Sequence, residues 1–122
     1  MSQYGIVIVS HVRLIAEGTK ELIAQIAKKV SVTITGGVGD VVGTNVEDVQ
    51  KAIEENPADE ILAFYDLGSS KMNLEVCADL TDKTVHVFDV PIVEGAYSAA
   101  ALAEVGTPIK EISKQLGEIV IK

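Results

Sequence analysis

Short β-branched runs alternate along this chain with longer stretches whose apolar residues recur every three or four positions. Residues 4–10 (YGIVIVS) are one such run and read as a buried strand. Over residues 14–29, Ile15, Leu22, Ile23, Ile26 and Ala27 mark an apolar face, and Glu17, Lys20, Glu21, Gln25 and Lys28 fill the other, which predicts an amphipathic helix. Residues 30–35 form a second strand pattern and run into a loop carrying Gly36, Gly37, Gly39 and Gly43. Thr44 with Glu47 has the spacing of a capping box, so a helix is expected over about 45–55, with Pro57 marking its end.

Residues 60–65 (EILAFY) are the third strand pattern, closed by Asp66-Leu67-Gly68. Ser69 or Ser70 is expected to cap the next helix, whose Met72, Val76 and Leu80 share one face. A fourth strand is expected over 84–90 and a helix over about 93–105; Thr107-Pro108 then opens the last helix. The tail, residues 118–121, reads as a short extra strand.

Strands separated by helices predict an α/β fold: a mainly parallel central sheet with helices on both faces, to which the tail would add a short extra strand. No linker or repeat breaks the pattern, and 122 residues suit a single domain over 1–122. In such sheets ligands bind outside the carboxyl ends of the strands. Three unusual features fall at three such ends: His11, the glycine loop, and Asp66-Leu67-Gly68-Ser69.

Charge narrows the partners. Eighteen acidic against ten basic residues give a net charge of −8, which argues against nucleic acid and against an anionic membrane surface. The N-terminal residues have no basic leader and only a short apolar run, so a cytoplasmic protein is expected. The one cysteine, Cys77, sits in an apolar stretch and reads as a small core residue. No metal-binding His/Cys cluster, nucleophile elbow or P-loop is present, and the carboxylates lie mostly on polar helix faces, so nothing in the pattern calls for a metal or another cofactor.

Two histidines remain as chemistry-bearing groups. His86 lies inside a strand pattern between Val85 and Val87 and reads as a strand histidine with a local hydrogen bond. His11 stands at a strand-to-helix junction, where it is either a turn residue or a presented nucleophile, since neutral imidazole is nucleophilic near neutral pH. A helix N-terminus behind it would favour an incoming phosphoryl group. A carboxylate on the other ring nitrogen would fix the tautomer. Asp66 is the best-placed group for that role, or else an ordinary turn aspartate. The loop containing Gly37, Gly39, Gly43 and Thr44 either cradles an anion or is a flexible turn.

Four segments together carry a resemblance: Gly5-Ile6-Val7-Ile8-Val9-Ser10-His11; Gly43-Thr44-Asn45; Tyr65-Asp66-Leu67-Gly68-Ser69 with Met72-Asn73-Leu74-Glu75; and Pro91-Ile92-Val93-Glu94-Gly95-Ala96. They resemble the mannose-type enzyme IIA superfamily of the bacterial phosphotransferase system, and within it the phosphotransfer subunits of phosphoenolpyruvate-dependent dihydroxyacetone kinases. The resemblance implies that His11 is phosphorylated and Asp66 orients it. Gly37, Gly39, Gly43, Thr44, Gly68 and Ser69 would then surround the phosphoryl group. It implies a separate phosphocarrier HPr as donor, since 122 residues cannot hold the extra HPr-like domain of some relatives. It further implies a parallel sheet with an extra antiparallel edge strand, a homodimer and, as acceptor, ADP on the kinase's nucleotide-binding subunit, which serves the dihydroxyacetone-binding subunit. The chain departs from the family at Asn45, where a serine is usual. Two other readings stand beside this one: an enzyme IIA component of a mannose-type sugar transporter, and a non-catalytic dimeric regulatory module. The Met72–Glu75 and Val93–Ala96 segments favour the kinase.

Overall fold

The computed structural model describes residues 3–119. Its elements run β1 (Tyr4–Ser10), α1 (Arg13–Ala24), β2 (Ser31–Gly36), α2 (Val46–Glu55), β3 (Glu60–Tyr65), α3 (Gly68–Leu80), β4 (Thr84–Phe88), α4 (Ile92–Glu104) and α5 (Ile109–Leu116), and then a 3₁₀ turn over Gly117–Ile119. The four strands form a wholly parallel sheet in the order β2-β1-β3-β4, the α/β arrangement the sequence pattern predicts.

Strand alternation sorts the core into two layers. Ile6, Ile8, Leu62 and Phe64 face one side with Ala16, Ile23, Ala96, Ala99 and Ile112 from α1, α4 and α5. Val7, Val9, Ile61, Ala63 and Tyr65 face the other, against Val49, Ile53, Leu74 and Cys77 from α2 and α3. Because β1 is covered on both faces, all seven of its residues are buried, and this explains its unbroken apolar run. Each fully buried Ile, Leu or Phe contributes about 1.5–3 kcal/mol relative to exposure.

Local chemistry shifts several boundaries. Helix α1 stops at Ala24, five residues short of the expected end; the chain turns instead through bonds from the Ile26 and Ala27 amides to the Ile23 carbonyl. Ile15 and Leu22, expected on its buried face, are exposed, and Ala16, Thr19 and Ile23 take the core positions. In α2 the cap is Asn45, whose side chain accepts the Asp48 N–H at 2.8 Å, one residue beyond the expected Thr44. Pro108 sits at the α5 N-cap position with no side-chain cap bond, so Thr107 does not act as the cap. Strand β4 ends at Phe88, two residues early. Of the expected tail strand, Glu118 and Ile119 lie in the 3₁₀ turn, and the rest falls outside the described residues.

The strand order sets which residues meet at the carboxyl rim of the sheet. β1 and β3 are neighbours, yet the chain leaves β1 through α1 on one face and leaves β3 through α3 on the other. The two connections diverge at the carboxyl ends of these strands, a topological switch point. His11 follows β1 there, and Asp66 follows β3.

Candidate functional site

Pairing of β1 with β3 places Val9 opposite Tyr65, so the residues just beyond each strand meet. The Asp66 carboxylate engages His11 at two points: Oδ1 lies 2.9 Å from the ring Nδ1, and Oδ2 accepts the His11 backbone N–H at 2.8 Å. The Ser10 hydroxyl donates to Oδ2 at 2.9 Å, the Leu67 N–H to Oδ1 at 2.7 Å and the Ser70 hydroxyl to Oδ1 at 3.2 Å. Burial by itself would raise this carboxyl. The hydrogen bonds from the His11 backbone and ring, Ser10 and Leu67 outweigh it and hold the pKa at about 2, against an ordinary 3.8.

An ionised carboxylate only accepts, so the hydrogen of a neutral His11 ring belongs on Nδ1. Nε2 then carries the lone pair, and the Ser69 hydroxyl donates to it at 2.6 Å. The His11 side chain keeps 17% of its surface exposed, so the ring stays partly open to solvent. A clamped Nδ1 and an available Nε2 make a nucleophile with a counter-charge behind it.

Ser69 and Ser70 lie inside the first turn of α3, and its N-cap, Leu67, makes no side-chain cap bond. The expectation that one of these serines caps the helix is therefore corrected: their hydroxyls turn to His11 and Asp66. The face shared by Met72, Val76 and Leu80 is the outer one. These three are exposed, and Ser70, Leu74 and Cys77 pack inward. Apolar residues lie on both sides of α3, so spacing alone does not phase it.

The glycine loop meets His11 from the β2 side. Gly37 and Gly39 line a cleft of about 180 Å³ with His11, Arg13 and Val41. Their φ values of 75° and 61° suit glycine, and between them and Val41 the chain folds back through paired Val38–Val41 amide bonds. The Gly43 N–H donates to the His11 carbonyl at 2.9 Å, so Gly43 pins the loop to the histidine backbone and does not offer its amide to an anion. The Thr44 hydroxyl accepts from the Asn73 amide on α3 at 2.9 Å. The Asn45 side chain is engaged in capping α2. Gly68 is the first residue of α3.

Three groups at this rim escaped the sequence reading. Ser10 and Ser70 are fully buried partners of Asp66; the signal for Ser70 was its i+4 spacing from that aspartate. Asp89, just past β4, accepts the Tyr65 hydroxyl at 2.5 Å and the Lys71 ammonium at 2.9 Å, tying the first turn of α3 to the end of β4. Burial and the Asp89 bond push the Tyr65 phenol up to about 12. His86, by contrast, is a strand residue paired with Glu60 at 2.8 Å, away from the rim.

Residues 5–113 match the family described as the PTS system fructose IIA component, EIIA-man. The chain belongs to this family. The chain is 48% identical over 120 residues to the Lactococcus lactis "PTS-dependent dihydroxyacetone kinase, phosphotransferase subunit DhaM", covering 98% of each chain. It is 42% identical to the Listeria innocua "PEP-dependent dihydroxyacetone kinase 1, phosphoryl donor subunit DhaM", covering 98% of this chain and 97% of that one. Among solved structures it resembles a protein of unknown function, EF1359, with a TM-score of 0.85 and 27% identity, over 100% of this chain and 98% of that one. A sigma-54 interaction domain protein from Enterococcus faecalis shares the fold, with a TM-score of 0.73 and 14% identity, over 96% of this chain and 90% of that one. No helix among the described residues is long and apolar enough to cross a membrane.

Proposed function

We propose that this chain is the phosphoryl carrier of a phosphoenolpyruvate-dependent dihydroxyacetone kinase, working in the cytoplasm as a homodimer within one domain. One observation carries the reading: Nδ1 of His11 is tied to an ionised Asp66 at 2.9 Å, which leaves the Nε2 lone pair for chemistry. Full-length similarity to two DhaM subunits supports the kinase over a sugar transporter.

Phospho-HPr is the donor. Ser69 rotates off Nε2, and the Nε2 lone pair bonds to phosphorus while the donor's P–N bond breaks and its electron pair returns to the donor nitrogen. His11 keeps its Nδ1 hydrogen, so the ring carries positive charge, which Asp66 opposes. The freed Ser69 hydroxyl, the α3 N-terminus at Gly68, the Gly37–Gly39 turn and Thr44 surround the phosphoryl oxygens. In the second step a terminal phosphate oxygen of ADP, held on the nucleotide-binding subunit, bonds to phosphorus as the N–P bond breaks. The ATP formed there serves the dihydroxyacetone-binding subunit.

The test is incubation with phosphoenolpyruvate, enzyme I and HPr, followed by intact-mass measurement of the wild-type and His11→Ala chains. One phosphate is expected on the wild type and none on the variant, with His86→Ala behaving as wild type. Adding the kinase subunits, ADP and dihydroxyacetone should discharge it. Discharge only by transporter components would assign the chain to sugar import, and an uncharged wild type would leave a regulatory module.

A further inference from the structure

Ser69 and Asn73 are four residues apart on α3, so they stand one above the other on the same helix face. The upper one touches the Nε2 of His11. The lower one donates its amide N–H to the Thr44 hydroxyl oxygen at 2.9 Å. Thr44 directly follows Gly43, whose N–H is fixed on the His11 carbonyl. Thr44 is thus held near His11 from two directions, by the backbone of its neighbour and by a side chain one helical turn below Ser69.

Hydroxyl geometry gives that bond a direction. A threonine hydroxyl has one hydrogen to donate and two lone pairs to accept with. Asn73 occupies a lone pair, and among the described residues the hydrogen has no acceptor. We propose that Asn73 is a positioning residue that fixes the half-buried Thr44 hydroxyl as a hydrogen-bond donor to the phosphoryl group on His11. The inference rests on the reading of His11 as phosphoryl acceptor. It adds a division of labour: Ser69 must first leave Nε2, whereas Thr44 is poised before the phosphoryl group arrives. No proton moves in this contact, because Thr44 only donates a hydrogen bond to a phosphoryl oxygen as the N–P bond forms and breaks.

The experiment compares Thr44→Val, Thr44→Ser, Asn73→Ala and Asn73→Asp with the double variant Thr44→Val/Asn73→Ala. Phosphorylation rates are measured with phospho-HPr and separately with phosphoramidate, and thermal melts check folding. Thr44→Val should lower the maximal rate about 100-fold, the effect of removing one donor to a developing charge, and Asn73→Ala about tenfold, both with little change in KM. Thr44→Ser, which keeps the hydroxyl, should recover most of the rate that Thr44→Val loses. Asn73→Asp should lose more than Asn73→Ala, since a carboxylate accepts the Thr44 hydrogen and repels the phosphoryl group. The double variant should match Thr44→Val alone. A wild-type rate in Asn73→Ala overturns the proposal, as does an Asn73→Ala loss that persists in full in the Thr44→Val background. If phosphoramidate charges the wild type and phospho-HPr does not, the donor assignment falls and the phosphoramidate rates still decide Asn73. If neither charges His11, the functional reading fails and this inference with it.

Discussion

Asp66 holds His11 by its ring and its backbone at once, with Oδ1 2.9 Å from Nδ1 and Oδ2 accepting the main-chain N–H at 2.8 Å. One carboxylate therefore sets both where the imidazole sits and which of its nitrogens is free.

Asp66→Asn should uncouple these two effects. An amide oxygen can still accept the Nδ1 hydrogen, but the amide carries no counter-charge, and its NH₂ cannot accept the His11 N–H. The phosphorylation rate is expected to fall by up to about 10⁴-fold, the loss seen when the aspartate orienting a catalytic histidine becomes an amide. Rapid-quench kinetics with phospho-HPr measures it, and an unchanged rate would reduce Asp66 to a turn residue.

The same carboxylate makes stability depend on pH. Its pKa is about 2 when folded against an ordinary 3.8, so its contribution is complete above about pH 4 and disappears as pH falls through about 2. Urea unfolding of wild type and Asp66→Asn across this window should show the gap between them narrowing toward acid. Curves that stay parallel would mean that Asp66 ionises alike in both states.

Gly5 should not tolerate a side chain. An added Cβ would lie 2.1 Å from Oδ1 of Asn56, which is buried and whose amide donates to the Ile6 and Ser31 carbonyls at 3.1 and 3.3 Å. Gly5→Ala is expected to cost about 3 kcal/mol through overpacking and disturbed hydrogen bonds. In an Asn56→Ala background the same change should cost at least about 1 kcal/mol less, which a double-mutant cycle in urea reads directly. Equal costs in both backgrounds would place the clash elsewhere.

Docking at the rim should depend on apolar contact more than on the net acidic charge. Leu14 and Val41 are 75% and 69% exposed beside His11, and the nearby Arg13 and Asp40 oppose each other at 3.8 Å. Leu14→Ser and Val41→Ser are each expected to raise KM for phospho-HPr about fivefold without lowering the melting temperature. A steep fall in rate with salt, and none with these substitutions, would return docking to charge steering.

The sheet and the histidine were legible because strong local signals carried them. A strand buried on both faces announces itself as a run such as Ile6–Val9, and only His11 stood at a strand end. The second layer of the site was not legible. Ser10 closes a strand in which every residue is buried, and nothing local says that its hydroxyl meets a carboxylate 56 residues away. Asn73 faces Thr44 only because α3 is rotated so that Leu74 and Cys77 pack inward, and a helix with apolar residues on both sides can be phased either way from sequence. Asn45 departed from the family pattern and yet fills a structural role, the cap of α2, which a serine fills equally well.

On the proposed reading of His11, the pairing of β1 with β3 also governs when the chain can be charged. Nucleophile and counter-charge are 55 residues apart in sequence, so no hairpin or isolated helical segment assembles them. A nascent chain has all of β1 and His11 well before Asp66 is in place, and until the sheet closes its imidazole is an ordinary one. Charging of His11 is therefore a clock for folding. A refolding chain quenched at intervals with a small phosphodonor should gain phosphate only as the β1–β3 contact forms.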